Sequence, residues 1–276
     1  ERYANFEEAV RTVFASTMNQ SALTYRLQRG LDQSDEQMAI LIQRVSGSYR
    51  NSYFFPDLAG VGLSHNAFVW KPDLDPAAGM LRLVFGLGTR AVNRIEDDYP
   101  RIISLDQPLA RPVSGASDTR KYSQHRVDLL DTLDNSLKTV QFSELVEKNF
   151  NIKLDYIAVR DYQLARQSRQ KGAGNVEYWL LTFEKLLTET DFVQLMQKIL
   201  KTLELHYNYP VDIEFTVNFS HDNKPIINLL QCRPLQTRGE KPRLEMPINP
   251  AADKILFKCD GYFMGGSIAQ EISKII

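Results

Sequence analysis

The chain has 276 residues, enough for one large domain or two modest ones with a sizeable core. Hydrophobic residues make up 43% and charged residues 24%, the balance of an ordinary soluble globular protein, and no apolar run approaches the roughly 20 residues of a membrane helix. Lys plus Arg is 33 against 34 for Asp plus Glu, a net charge of -1, so no basic excess points to nucleic acid and no acidic tail to a solvating linker.

The start, ERYANFEEAV, is charged and amphipathic, unlike a signal peptide. Cys232 and Cys259 form no metal-spaced set, and a reducing cytoplasm is the simplest setting. The chain opens without Met and closes on Ser-Lys-Ile-Ile, which reads as a piece of a longer polypeptide.

Phe6, Ala9, Val10, Val13 and Phe14 recur at helical spacing, and Asn5 with Glu8 imitates a capping box. A second helix is expected over Ser21 to Arg29, stopped by Gly30 at the C′ position. Met38 to Val45 (MAILIQRV) is short, apolar and bounded by polar stretches, the pattern of a buried strand. Met80 to Phe85 is another strand, running into Gly86-Leu87-Gly88-Thr89, and Tyr99 to Leu105 is a third. Gln107 to Gln124, rich in Pro, Ser and Gly, reads as an exposed loop, and Phe142 to Phe150 as a short amphipathic helix. Asp161 to Asn175 is polar and basic and reads as a mobile loop. Asp191 to Tyr207 is the clearest helix, with Phe192, Leu195, Met196, Ile199, Leu200 and Leu203 on one face.

Val211 to Val217 (VDIEFTV) alternates strictly, His221 to Lys224 supplies turn residues, and Ile226 to Arg233 (IINLLQCR) returns as a second strand. Beyond about Thr237 the Pro-rich, charged run reads as a linker. Helices and strands are mixed, so the class is α/β or α+β.

Period-2 geometry puts Asp212 and Glu214 on one face of the first strand, with Gln231 and Arg233 sharing a face of the second. Ile213, Phe215 and Val217, with Ile226 and Leu230, are expected to cover the core side. If the polar faces coincide, Glu214 and the Gln231 carbonyl oxygen are hard donors of the kind Mg²⁺ takes. Arg233 is a permanently charged fork suited to phosphate. The other reading makes Asp212 and Glu214 the solvent face of an amphipathic strand, with Arg233 as their salt-bridge partner. Spacing alone leaves both open.

VDIEFTV followed by LLQCRPLQT resembles the closing signature of the ATP-grasp domain in phosphoenolpyruvate synthases and pyruvate phosphate dikinases. There an Asp-Ile-Glu strand precedes a Leu-Gln-x-Arg strand. MAILIQRVSG and FFPDLAGVGLSHN resemble the same family's Val-Gln-x-Met-Val and Ser/Thr-Gly-Val strands. GLGTRAVN is similar to its Gly-Leu-Gly-Glu segment, and VFASTMNQSALTYRLQRGL to its helix pair. The four motifs keep the family's order across about residues 6 to 237.

The resemblance implies an ATP-grasp-like α/β (α+β) fold with a mixed or antiparallel sheet and flanking helices. It places the nucleotide-binding domain over 1–237 and a linker with the start of a following segment over 238–276. Glu214 and Gln231 become Mg²⁺ ligands, Arg233 a catalytic phosphate contact and Asp212 a supporting carboxylate. Gln43 and Val45 would lie at the adenine through their main chain, although Gln43 fits equally well as a strand-end residue facing solvent. Implied ligands are ATP and Mg²⁺. Pyruvate, with phosphate or water, is handled by other domains of the parent, and neither nucleic acid nor membrane is expected as a partner. The implied enzyme is a cytoplasmic kinase with paired acceptors that makes phosphoenolpyruvate through a phosphohistidine carrier located elsewhere. A sister phosphotransferase acting on an antibiotic or a glucan, and a non-catalytic nucleotide- or partner-binding module, are the alternatives.

Two positions depart from the family pattern. Arg44-Val45 stands where Met is common, and Thr89-Arg90 where Glu follows Gly-Leu-Gly. Gly86 and Gly88 fit either a tight strand-to-helix turn or an anion-binding helix start. The family's Arg-Ser-Ser segment and phosphate-covering loop are expected upstream of this stretch, and the isolated chain is expected to be inactive. Ser64-His65 shares only its dipeptide with the phosphohistidine motif, and Gly265-Gly266-Ser267 has no histidine after it.

Overall fold

In the computed structural model, which describes residues 2–235 apart from 29, 36, 67, 93–96, 114, 149–151 and 173–175, the spacing of Phe6 to Phe14 becomes α1 (Arg2–Ser16). Asn5 and Glu8 lie inside that helix, so they cap nothing. Its successor α2 (Gln20–Gln28) starts where Asn19 Oδ1 accepts from Ala22 N at 2.7 Å, the N-cap bond that satisfies an otherwise orphaned donor. Gly30 closes it at φ +66°, as a C′ glycine should. Residues 1–45 form one compact unit. Met38 to Val45 is not a strand: it carries no ladder, and Leu41 and Ile42 are 74% and 70% exposed. Apolar composition alone cannot make a strand where no neighbour offers backbone partners.

The second unit runs from Ser46. In chain order it contains β1 (Ser48–Arg50), β2 (Tyr53–Phe55), β3 (Leu58–Leu63), β4 (Met80–Val84), α3 (Thr89–Val92) and β5 (Arg101–Ser104). Next come α4 (Ala116–Lys121), β6 (Arg126–Asp131), β7 (Ser136–Gln141), α5 (Phe142–Glu147), α6 (Leu154–Ile157), β8 (Ala158–Arg160) and α7 (Tyr162–Gln170). The described part ends with β9 (Trp179–Leu181), α8 (Glu184–Glu189), α9 (Phe192–Tyr207), β10 (Val211–Phe219) and β11 (Pro225–Pro234). An antiparallel sheet runs β11-β10-β3-β4-β5, a second β1-β2-β6-β7, and β8 pairs with β9. The fold is a mixed α/β one with antiparallel sheets and flanking helices.

One core joins both sheets. The apolar stripe of α9 lays Phe192, Met196 and Leu200 against Ile213 and Phe215 of β10, with the Phe192 and Phe215 rings 6.3 Å apart. Phe85 stands edge-on to Phe55 at 5.5 Å and to Phe142 at 5.6 Å, linking the two sheets to α5. Each such fully buried side chain contributes about 1.5–3 kcal/mol. On its core face β3 carries Gly60 and Gly62. A Cβ on Gly60 would stand 2.9 Å from Phe215 Cζ and 2.5 Å from Arg82 O, so the missing side chain makes room for β10's aromatic ring.

Two expected loops are partly helical. The 107–124 stretch contains α4, and Gln124 is buried, its amide bonded to the carbonyls of Phe85 and Arg126. The 161–175 stretch begins as α7: Asp161 Oδ1 accepts from Leu164 N at 2.9 Å, and Arg120 clamps the same carboxylate. Gln and Arg are good helix formers, so a cap and an anchor suffice without a buried face. The linker expected after Thr237 lies outside the described residues.

Candidate functional site

Strand β10 alternates as its sequence demands: Val211, Ile213, Phe215 and Val217 are buried toward the core, while Asp212 and Glu214 are half-buried on the other face. The antiparallel register sets Asp212 opposite Arg233 and Glu214 opposite Gln231. On the far side of β10, Glu214 has Val61 of β3 as its partner, and Val61 in turn faces Arg82 of β4. One row across the sheet therefore reads Gln231, Glu214, Val61, Arg82. Strands lie about 4.8 Å apart, so the Glu214 and Gln231 side chains start within reach of a common ion and Arg82 starts about 10 Å from Glu214.

The register breaks once. After Glu214 opposite Gln231 comes Phe215 opposite Leu229, so Leu230 is the extra residue of a β-bulge. This corrects the expected apolar set. Ile227 and Leu229 pair with Val217 and Phe215 on the core side, together with Cys232, while Ile226 sits opposite Asn218 and is 51% exposed. The bulge lets the apolar half and the polar half of β11 each meet its counterpart on β10.

Around this row the polar contacts are specific. Arg233 Nε and Nη2 reach Asp212 Oδ2 at 3.1 and 2.8 Å. Further along the same face, Asn218 and Asn228 both donate to Ser46 Oγ, at 2.9 and 3.1 Å. Thr216 Oγ1 and Asn218 Oδ1 are buried and have no hydrogen-bond partner among the described residues. The donor set suits Mg²⁺: one carboxylate and one amide oxygen on neighbouring strands, with arginines nearby for phosphate. Among the described residues no group of three or more His, Cys, Asp or Glu could hold a metal ion. A two-donor site completed by phosphate is the form open to this face.

The Gly86 to Arg90 segment is structural. Gly86 turns at φ +87° against Val127 and Asp128, and α3 is four residues long. Arg90 is buried with Nε on Asp128 Oδ1 at 2.9 Å and Nη1 on Asp98, while Thr89 and Thr139 donate to the two Asp128 oxygens. Burial pushes the Asp128 carboxyl up, but hydrogen bonds from Thr139, Thr89 and Arg90, aided by the Arg90 charge, outweigh it and leave it below the ordinary carboxylate value. The tight-turn reading holds at Gly86, whereas Gly88 has no positive φ and a Cβ there would meet Ala59 Cβ at an ordinary 3.5 Å. The Thr89-Arg90 departure has a purpose of its own, locking β4's end onto β6 and β7.

Ser64 is buried and its hydroxyl accepts from Val211 N at 2.9 Å, fastening β10 to β3's end. Gln43 and Val45 are exposed and belong to the first unit. Arg82 went unread in the sequence; its signal was a lone charge inside the otherwise apolar run MLRLV.

Antiparallel sheets faced by helices make this a domain of the ATP-grasp-like class. The family model described as pyruvate phosphate dikinase, AMP/ATP-binding domain, matches residues 2–250, and the chain belongs to that family. Comparison with curated proteins gives no match. Among the described residues no helix is long and apolar enough to cross a membrane.

Proposed function

We propose that this chain is the ATP-binding part of a phosphotransferase that converts pyruvate to phosphoenolpyruvate through a phosphohistidine carried elsewhere in its parent. Residues 1–237 form the nucleotide-binding domain and 238–276 lead onward. The observation that carries the reading is the register of Glu214 opposite Gln231, with Arg233 held two residue pairs away, on the same face, by Asp212.

Glu214 and Gln231 would hold Mg²⁺, which when bound neutralises charge on the polyphosphate. Arg233 brings its positive charge to a phosphate oxygen, while Asp212 holds its Nε and Nη2 against β10. Arg82 adds positive charge two strands away. No side chain here needs to act as a nucleophile, because phosphoryl transfer rests on positioning and charge neutralisation. Pyruvate and phosphate or water engage the parent's other domains, and a free Cys232 suits a reducing cytoplasm.

The deciding experiment titrates ATP into the chain with and without Mg²⁺ and repeats it with Glu214→Ala and Gln231→Ala. Each variant is expected to lose the magnesium-dependent part of the affinity. Unchanged magnesium dependence in Glu214→Ala would sink the assignment.

A further inference from the structure

Away from the nucleotide face, the start of β5 and the loop after it build a second charged cavity. Arg101 is 7% exposed. Among the described residues its guanidinium hydrogen-bonds main-chain oxygens only: Nη1 donates to Ile102 O at 2.6 Å, and Nη2 to the carbonyls of Pro108, Leu109 and Ala110 at 3.2, 3.5 and 3.2 Å. Its Nε is buried with no partner among the described residues. Among the described residues Arg111 and Glu184 are the charges felt most by Arg101, and Glu184 Oε1 is bonded to Arg111 Nη2 at 3.0 Å. Within this group of three, two guanidiniums share one carboxylate, leaving one surplus positive charge where burial penalises it most. Burial, then repulsion from Arg111, with Glu184 pulling the other way, brings Arg101 down to about 9.

Both arginines line a cavity of about 140 Å³ whose other walls include Phe68, Tyr99, Ile102 and Tyr122. The Tyr99 and Tyr122 rings stand edge to face, 5.2 Å apart. An apolar cavity of about 150 Å³ holds one benzene ring. We propose that this cavity binds a small organic monoanion: a carboxylate on an apolar body about the size of one aromatic ring. The single negative charge answers the single surplus positive one at Arg101 and Arg111, and the body covers Phe68 and the tyrosines. Inorganic phosphate lacks a body to cover those walls and brings more charge than the site can neutralise. The proposal does not depend on the role of Glu214.

The test titrates the 276-residue chain with benzoate, with benzamide as its neutral counterpart and with inorganic phosphate, at constant ionic strength, by calorimetry and thermal shift. Benzoate is expected to bind saturably, benzamide about tenfold or more weaker for want of a charge-assisted hydrogen bond, and phosphate without saturation. Arg101 also pins its loop, so Arg111→Gln and Tyr122→Leu carry the mutational arm; each is expected to weaken benzoate, while Glu214→Gln leaves it unchanged. Equal binding of benzoate and benzamide, equal binding of phosphate, or an Arg111→Gln protein that binds benzoate as before would each overturn the proposal.

Discussion

Arg233 holds Asp212 at a single atom: Nε at 3.1 Å and Nη2 at 2.8 Å both donate to Oδ2. With the Arg233 side chain 52% exposed, such a pair stabilises the fold by about 0–1 kcal/mol. Its value lies in fixing where the guanidinium points. Asp212→Asn is therefore expected to leave the urea midpoint nearly unchanged while weakening Mg²⁺–ATP roughly tenfold, the usual cost of losing an orienting partner. Calorimetry beside urea unfolding checks both halves. Lost stability with unchanged affinity would reduce the pair to strand-to-strand attachment.

The shared faces of Asp212 with Glu214 and of Gln231 with Arg233 were legible because this half of β10 is fully buried on one face and only half-buried on the other, a condition that turns period-2 geometry into a sequence pattern. The same rule misread Ile226 and Leu230, since a bulge adds one residue that no alternation announces. Met38 to Val45 failed for a related reason. Hydrophobicity reports what a segment avoids, whereas a strand needs a partner, and that is a tertiary fact. The helix α7 was hidden the opposite way: its polar composition resembles a loop, and its stability comes from Asp161, at its start, paired with Arg120 some 41 residues earlier. Arg90's role depends on Asp128, which arrives from 38 residues further along the chain and lies outside any local window.

The Arg90 site gives a stability prediction. Its side chain is 8% exposed between two carboxylates that are 2% and 8% exposed. Arg90→Ala leaves both acids buried without their counter-ion, at an expected cost of about 3–5 kcal/mol. Arg90→Lys restores the charge but not the fork, and should recover only part of it. Chemical unfolding of the three proteins decides; an Arg90→Ala protein as stable as the parent would show that the network is incidental.

Asp128 contributes to the acid side of the pH window. Its carboxyl lies lower folded than unfolded, so its bonds with Thr89, Thr139 and Arg90 contribute stability that is complete above the unfolded value, about 3.9. That contribution is lost as pH falls through the lower folded value. Stability is therefore expected to be level on this account from pH 8 to about 5 and to decline below about 4. Thr139→Val removes one donor, raises the folded value toward the unfolded one and should make the decline shallower, while its onset near the unfolded value stays. A decline of unchanged depth in Thr139→Val would mean that other carboxylates set it.

The bulge at Leu230 offers the sharpest test of the nucleotide face, because two one-residue deletions in the same strand should have opposite consequences. Removing Leu230 joins Leu229 directly to Gln231. The strand then alternates without interruption: Ile227, Leu229 and Cys232 stay on the core side, and Gln231 and Arg233 stay opposite Glu214 and Asp212. Removing Cys232 instead makes Gln231 and Arg233 consecutive, which throws them onto opposite faces. Arg233 can no longer face Asp212 while Gln231 faces Glu214. The first deletion should keep magnesium-dependent ATP affinity within a few-fold of the parent, and the second should abolish it, although both shorten β11 equally. Circular dichroism and thermal unfolding confirm that each remains folded before titration. If both deletions lose binding alike, the bulge itself shapes the site; if both keep it, ATP does not depend on the Glu214–Gln231 register, and the metal assignment falls.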